Sequence, residues 1–143
     1  VIKRDFLDKA VSDAVRASWA MCAHCLMPFD RQKNGSWSKN FQCSHYIGRG
    51  AGSSLRWFPD NLTALCGSCH RFFGNDPDEH TAFIKKLLGD VRFEELKTRK
   101  HKTMKYTKPE KREMAAHYRE ETKRIMALRD QGEAGYISLV AWD

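Results

Sequence analysis

Residues 66–75 read CGSCHRFFGN. Two cysteines separated by two residues form half of a tetrahedral metal site, but such a knuckle has no need of the histidine that follows directly at position 70. The rest of the chain decides whether His70 is a spare ligand, a packing residue or part of an active site. A matching pair stands upstream, Cys22 and Cys25 in CAHC, with forty residues between Cys25 and Cys66 and with Cys43 left over as the fifth cysteine. The start, VIKRDFLDKA, lacks the apolar core of a secretory leader, and no run approaches the ~18 apolar residues of a membrane span. These features predict an intracellular protein with no membrane association, where paired CxxC motifs favour a metal over disulfides. Four thiolates around one Zn²⁺, at about 2.3 Å per Zn–S bond, make a closed structural site whose binding energy becomes folding energy. Unligated cysteines or a thioredoxin-like redox pair are the alternatives, and two pairs in one short chain argue against both. Cys43 is expected to be a packed core thiol.

The chain of 143 residues, 41% hydrophobic and 30% charged, is long enough for one soluble domain with helical extensions. Residues 3–19 place Phe6, Leu7, Ala10, Val11, Ala14 and Val15 at helical spacing, which predicts an amphipathic helix. A knuckle and a turn at Asn34-Gly35 follow, and SWSKNFQCSHYI predicts a strand centred on residues 40–47. GRGAGSS has glycines but no GKS or GKT ending, so it reads as a loop and not as a nucleotide-phosphate cradle. LTALC predicts a second strand, CHRFFG a helical turn ending in glycine, and DPDEHTAFIKKLLG a helix stopped by Gly89. Residues 90–108 read as charged and partly helical. A helix is expected from Pro109 to Arg129, with Met114, Tyr118, Ile125 and Leu128 as its apolar stripe. The final YISLVAWD is strand-like, with no assigned place. One domain is expected over residues 1–143, with a core at about 20–76, a basic helical extension at about 78–131 and an apolar tail at 136–143.

The formal charge of +7 resides entirely in one block: between Lys97 and Arg112 eight cations face the single anion Glu110. Two readings are open for Lys97, Arg99, Lys100, Lys102, Lys105 and Lys108. They contact a polyanion, releasing its condensed counterions, or they form a solvated helix face or linker.

Between the cysteine pairs lie SHY at 44–46, DN at 60–61 and CH at 69–70, so that His45, Asn61 and His70 fall on a strand, before a strand and at a helix start. This order resembles the HNH nucleases and their ββα-metal fold. The likeness implies that His45 is a general base, that Asn61 ties a loop through backbone hydrogen bonds, and that His70 binds a catalytic divalent ion. CxxC, SHY, LRWFPDN, CxxCH and the GN pair together resemble the lambdoid phage NinG family, also called Rap, over residues 5–130. That resemblance implies an α+β protein, a zinc-stabilised ββα-metal core with flanking N- and C-terminal helices. It also implies a structure-specific endonuclease acting on branched recombination DNA such as Holliday junctions and D-loops.

The chemistry is consistent with these residues on its own terms. A neutral imidazole can deprotonate water near pH 7, and Mg²⁺ or Mn²⁺ can stabilise the phosphodiester transition state. Where HNH motifs commonly carry a carboxylate or imidazole before the base, this chain has Ser44. The missing donor is expected from Asn75, Asp76, His80 or Asp60, with Asn75 favoured. Arg49 and Arg56 either clamp phosphate or are solvated, and His45 and His70 retain the alternatives of a core residue and an extra structural ligand. Symmetric cutting of a junction needs two active sites, so a homodimer is expected. The competing functions are a zinc-stabilised DNA-binding module without catalysis and a nuclease of the homing or restriction type.

Overall fold

The computed structural model describes residues 2–50 and 53–142, so part of the GRGAGSS loop lies outside the described residues. Five α-helices and one two-stranded antiparallel sheet are seen among them. Helix α1 (Phe6–Trp19) begins at a capping box: the Asp5 side chain accepts from Leu7 and Asp8 N–H groups, and the Asp8 side chain returns a bond to the Asp5 N–H. That reciprocal pair satisfies donors that a helix start leaves unpaired. The helix ends at Ala20, whose φ of 51° is left-handed. Its inner stripe, Leu7, Val11, Ala14 and Val15, is almost fully buried. Each large apolar side chain so buried contributes about 1.5–3 kcal/mol.

Strand β1 (Phe41–His45) pairs with β2 (Leu62–Cys66) in a register that sets Phe41 opposite Cys66 and His45 opposite Leu62. Every residue of β2 is buried, which explains why LTALC is apolar without alternation. Helix α2 (Gly67–Asn75) leaves β2 without a linker, its start capped by the Cys66 sulfur accepting from the Cys69 N–H. The sequence pattern predicts an end at Gly74, whereas the helix continues through Asn75. Asp76 then bonds the Glu79 N–H and opens α3 (Pro77–Leu88), with Pro77 at a position that needs no N–H donor. Gly89, at φ 81°, stops α3 as expected. Helix α4 (Asp90–Lys100) takes the first part of the charged stretch, and α5 (Lys108–Asp130) follows a Thr107/Glu110 capping box.

Helix α5 packs mainly on α1, burying Met114, Ala115, Tyr118 and Ile125 against it and the sheet. Leu128 is only half-buried. A second cluster joins Cys22, Leu65, Cys66, Cys69 and Phe73, and a third joins Leu55, Ile84 and Leu96.

The strand-like tail forms no strand. Ser18 brackets Ile137 by accepting its N–H and donating its hydroxyl to the Ile137 carbonyl, while Glu121 and the Tyr118 hydroxyl accept from Val140 and Trp142 N–H groups. Its polar backbone is thus satisfied largely by α1 and α5 side chains, and Ile137, Leu139 and Trp142 cover the first core cluster. The alternation that imitates a strand comes from an extended segment lying on helices. No helix among the described residues is long and apolar enough to cross a membrane.

Candidate active-site cleft and metal centre

The two cysteine pairs converge. The sulfurs of Cys22, Cys25, Cys66 and Cys69 all lie within 4.8 Å of one another, and Cys25 and Cys66 sulfurs are 3.8 Å apart. A tetrahedron with Zn–S bonds of about 2.3 Å has edges of about 3.8 Å, so the set has the dimensions of a closed zinc site. The knuckle around Leu26, at φ 66°, is joined to the sheet by the Ala23 N–H bond to the Ala64 carbonyl at 2.8 Å. His24 lies with Nδ1 3.3 Å from the Cys69 sulfur. Such a contact to a ligand sulfur moderates its charge. Cys43 stands apart from the cluster; burial pushes its thiol up to about 12, leaving it inert.

His45 and His70 line one cleft of about 630 Å³ between α1, β1 and the start of α2. His45 is the last residue of β1, and its Nε2 is 3.0 Å from the Arg56 carbonyl oxygen. A carbonyl only accepts, so Nε2 carries the hydrogen and Nδ1 keeps the lone pair. Burial pushes the His45 pKa below its ordinary 6.5, against the opposing pull of the Arg56 carbonyl. Its neutral form therefore predominates at pH 7. His70 Nδ1 bonds the Gln42 side-chain oxygen, which is oriented by the Gln42 amide donating to the Lys39 carbonyl at 3.3 Å. The His70 hydrogen therefore sits on Nδ1, leaving Nε2 free to bind a cation. Burial lowers the pKa of His70 as well.

Asn61 does not reach into the cleft. Fully buried, it accepts from the Ile47 N–H at 2.8 Å and donates to the Ile47 carbonyl at 2.9 Å and the Leu55 carbonyl at 3.2 Å. It joins the chain leaving β1 to the segment that enters β2. Asn61→Ala leaves these three backbone groups without their partner and is expected to cost about 3 kcal/mol, since an unpaired buried polar group costs ~1–3 kcal/mol. Urea denaturation would measure it; a loss below ~1 kcal/mol would reduce Asn61 to an ordinary turn residue.

The four proposed replacements for a carboxylate at Ser44 fare differently. Asp60 is paired with Arg92, and Asp76 caps α3. Asn75 ends α2. His80 is buried between Phe73 and Tyr46 with Nε2 unpaired. Ser44 is itself buried, and its hydroxyl is likewise unpaired.

The cations are also redistributed. Arg56, open to two readings as a phosphate clamp or a solvated cation, has its guanidinium committed to Asp8, with Nη2 2.5 Å from Oδ2 and Nε 3.0 Å from Oδ1. Arg99 lies over the Phe58 ring at 4.0 Å and bonds the Ser54 carbonyl. None of Lys97, Arg99, Lys100, Lys102, Lys105 and Lys108 lines the cleft, whereas Arg4, Arg16, Lys39 and Arg49 do. Arg16 is occupied by Asp13 at 2.7 Å, and Arg49 approaches Asp8 no closer than 3.8 Å. Arg49 is marked by its place beside the SHY motif, whereas Arg4, Arg16 and Lys39 are scattered singly along the chain, where no local charge density marks them.

Residues 5–127 match the family model described as Bacteriophage Lambda NinG protein. No curated protein and no solved structure matches the chain significantly.

Proposed function

The chain belongs to the bacteriophage lambda NinG family, and from that premise we propose that it is a metal-dependent endonuclease of the HNH type that hydrolyses phosphodiesters in branched DNA. The observation carrying this reading is the shared cleft, where a neutral His45 with a lone pair on Nδ1 faces the same space as a His70 with a lone pair on Nε2. Arg4, Lys39 and Arg49 supply positive charge around it for the phosphate backbone. His45 Nδ1 takes a proton from a water as the water oxygen bonds phosphorus. The bond to the 3′ oxygen breaks, and that oxygen keeps the electron pair and takes a proton from solvent, giving a 3′ hydroxyl and a 5′ phosphate. The Arg56 carbonyl holds the Nε2 hydrogen throughout, so the ring keeps its orientation as it becomes charged. A divalent ion, Mg²⁺ or Mn²⁺, when bound would polarise the phosphate and stabilise the departing oxygen. His70 would hold it together with waters and DNA phosphate oxygens, since Ser44 offers only a hydroxyl and neither Asn75 nor His80 lines the cleft. An imidazole donor favours Mn²⁺ over Mg²⁺. The Cys₄ cluster would hold structural zinc, and two chains would be needed for paired cuts across a junction.

The test is to incubate the protein with a four-way junction and with linear duplex of the same sequence, in Mn²⁺ or Mg²⁺. Junction nicking with the duplex spared is the expected result. Equal cutting of both would favour the homing or restriction type, and no cutting with any ion or junction would remove the proposal. Because burial lowers the His45 pKa, the base stays unprotonated down past pH 6.5. The nicking rate should hold from neutral pH to below 6.5 and then fall about tenfold per unit. Single-turnover rates from pH 5 to 8 would measure this, and an acid limb centred above 6.5 would contradict it.

A second reading rests on Ser44. A buried hydroxyl in place of a carboxylate is also what a nuclease that has lost its catalytic ion would carry. That non-catalytic module would bind junctions with steep salt dependence and take up no Mn²⁺ beside its zinc. Calorimetry with Mn²⁺ on zinc-loaded protein separates the two.

A further inference from the structure

Asp8 lies in the first turn of α1, far from the cysteine and histidine motifs in sequence, yet its carboxylate is buried beside the cleft with four donors on it. The Asp5 N–H reaches Oδ2 at 2.8 Å, Arg56 Nη2 reaches Oδ2 at 2.5 Å, Arg56 Nε reaches Oδ1 at 3.0 Å, and Trp57 Nε1 reaches Oδ1 at 2.9 Å. A carboxylate has about four acceptor positions, so Asp8 is saturated. Closing the helix cap needs only the first of these bonds. The other three hold two consecutive side chains, Arg56 and Trp57, and so fix the backbone between them. The carbonyl of that backbone, from Arg56, accepts from His45 Nε2 at 3.0 Å. Arg56 is further held by the Lys3 carbonyl at 3.0 Å.

We propose that Asp8 is a positioning residue of the cleft: through Arg56 and Trp57 it aims the carbonyl that sets the orientation and tautomer of His45. The catalytic meaning of this rests on the function proposed above, but the tautomer does not. The N-terminal helix is then part of the active-site framework as well as the core. The charges around His45 are Asp8 on α1, Arg49 and Arg56 on the loop after β1, and Arg4, Arg16, Lys39 and His70 around the cleft. Asp8 is the sole anion lining that cleft among the described residues.

The test uses the full zinc-loaded chain, with Asp8→Asn and with Trp57→Phe, which keeps the ring packing and deletes one of the two side-chain anchors. Nitrogen NMR of the His45 ring should show one tautomer in wild type, hydrogen on Nε2, and a mixture in both variants. Asp8→Asn also removes the negative charge that favours protonated His45, so the acid limb of the nicking profile should move to lower pH. Its turnover should fall roughly tenfold to hundredfold, since small misplacements of a reacting group cost that much, while KM for the junction changes little. Asp5→Ala disturbs the same helix cap and removes a carboxylate that makes no hydrogen bond to Arg56, and should leave tautomer and limb as in wild type. If Asp8→Asn fails to fold, Trp57→Phe decides: a single unchanged tautomer overturns the proposal. A folded Asp8→Asn with wild-type ring nitrogens and acid limb overturns it too, even if slower. Should wild type cut nothing, the endonuclease reading falls and the ring nitrogens still decide this one.

Discussion

Cys69→Ser is expected to leave the chain unable to hold zinc, unfolded at 25 °C and without a cooperative transition on heating, and a strong chelator is expected to do the same to wild type. Cys22, Cys66 and Cys69 lie at the centre of the second core cluster, where Leu65 and Phe73 are their main apolar company. That cluster is small, and the knuckle carrying Cys22 and Cys25 meets the sheet through few backbone bonds, among them that from Ala23 to Ala64. Structural zinc contributes on the order of 10 kcal/mol in small domains. The whole net stability of a domain is about 5–15 kcal/mol. Losing one thiolate leaves the remaining sulfurs crowded and without their cation, and the apolar contacts of the cluster do not offset that. Metal analysis should find close to one zinc per chain, and near-ultraviolet dichroism would follow the loss of packing. Cys43→Ser is the control, since that thiol packs against the first cluster and belongs to no ligand set. A metal-free Cys69→Ser protein with a native transition would remove zinc from the account of this fold.

The parts of the molecule that were legible in the sequence are those whose physics is local. The two CxxC spacings, the stop at Gly89, the apolar stripe of α1 and the buried run LTALC each act within a few residues, and each has its counterpart in the structure. His45 and His70 could be picked out because they adjoin these markers. The Asp8–Arg56 pair could not, because it spans 48 residues and exists only once α1 is laid across the loop before β2. Arg56 therefore looked like a free cation. The burial of His80 was hidden for a related reason: an isolated histidine after Asp-Glu reads as helix surface until Phe73 and Tyr46 are brought against it. The tail misled in the opposite direction, since alternating apolar residues signal one buried face without saying whether a strand or a pair of helices covers it.

His45→Ala is expected to slow junction nicking by about 10²–10⁴-fold, the usual contribution of a general base, with junction affinity and zinc content unchanged. The ring makes one hydrogen bond, to the Arg56 carbonyl, and sits half-buried at the end of β1, so its removal should not unfold the hairpin. His70→Ala should also slow the reaction, but for a different reason: it weakens the hold on the divalent ion, and raising the Mn²⁺ concentration should restore part of the rate. No concentration of ion replaces a proton acceptor, so His45→Ala should stay slow across the same titration. Single-turnover nicking of a four-way junction, measured against Mn²⁺ for both variants, therefore tests the division of labour between the two imidazoles as well as their importance. If His45→Ala cut within threefold of wild type, water would have to be activated by another group. Of the histidines, only His70 shares that cleft among the described residues, and it would then be the base, with the ion held elsewhere.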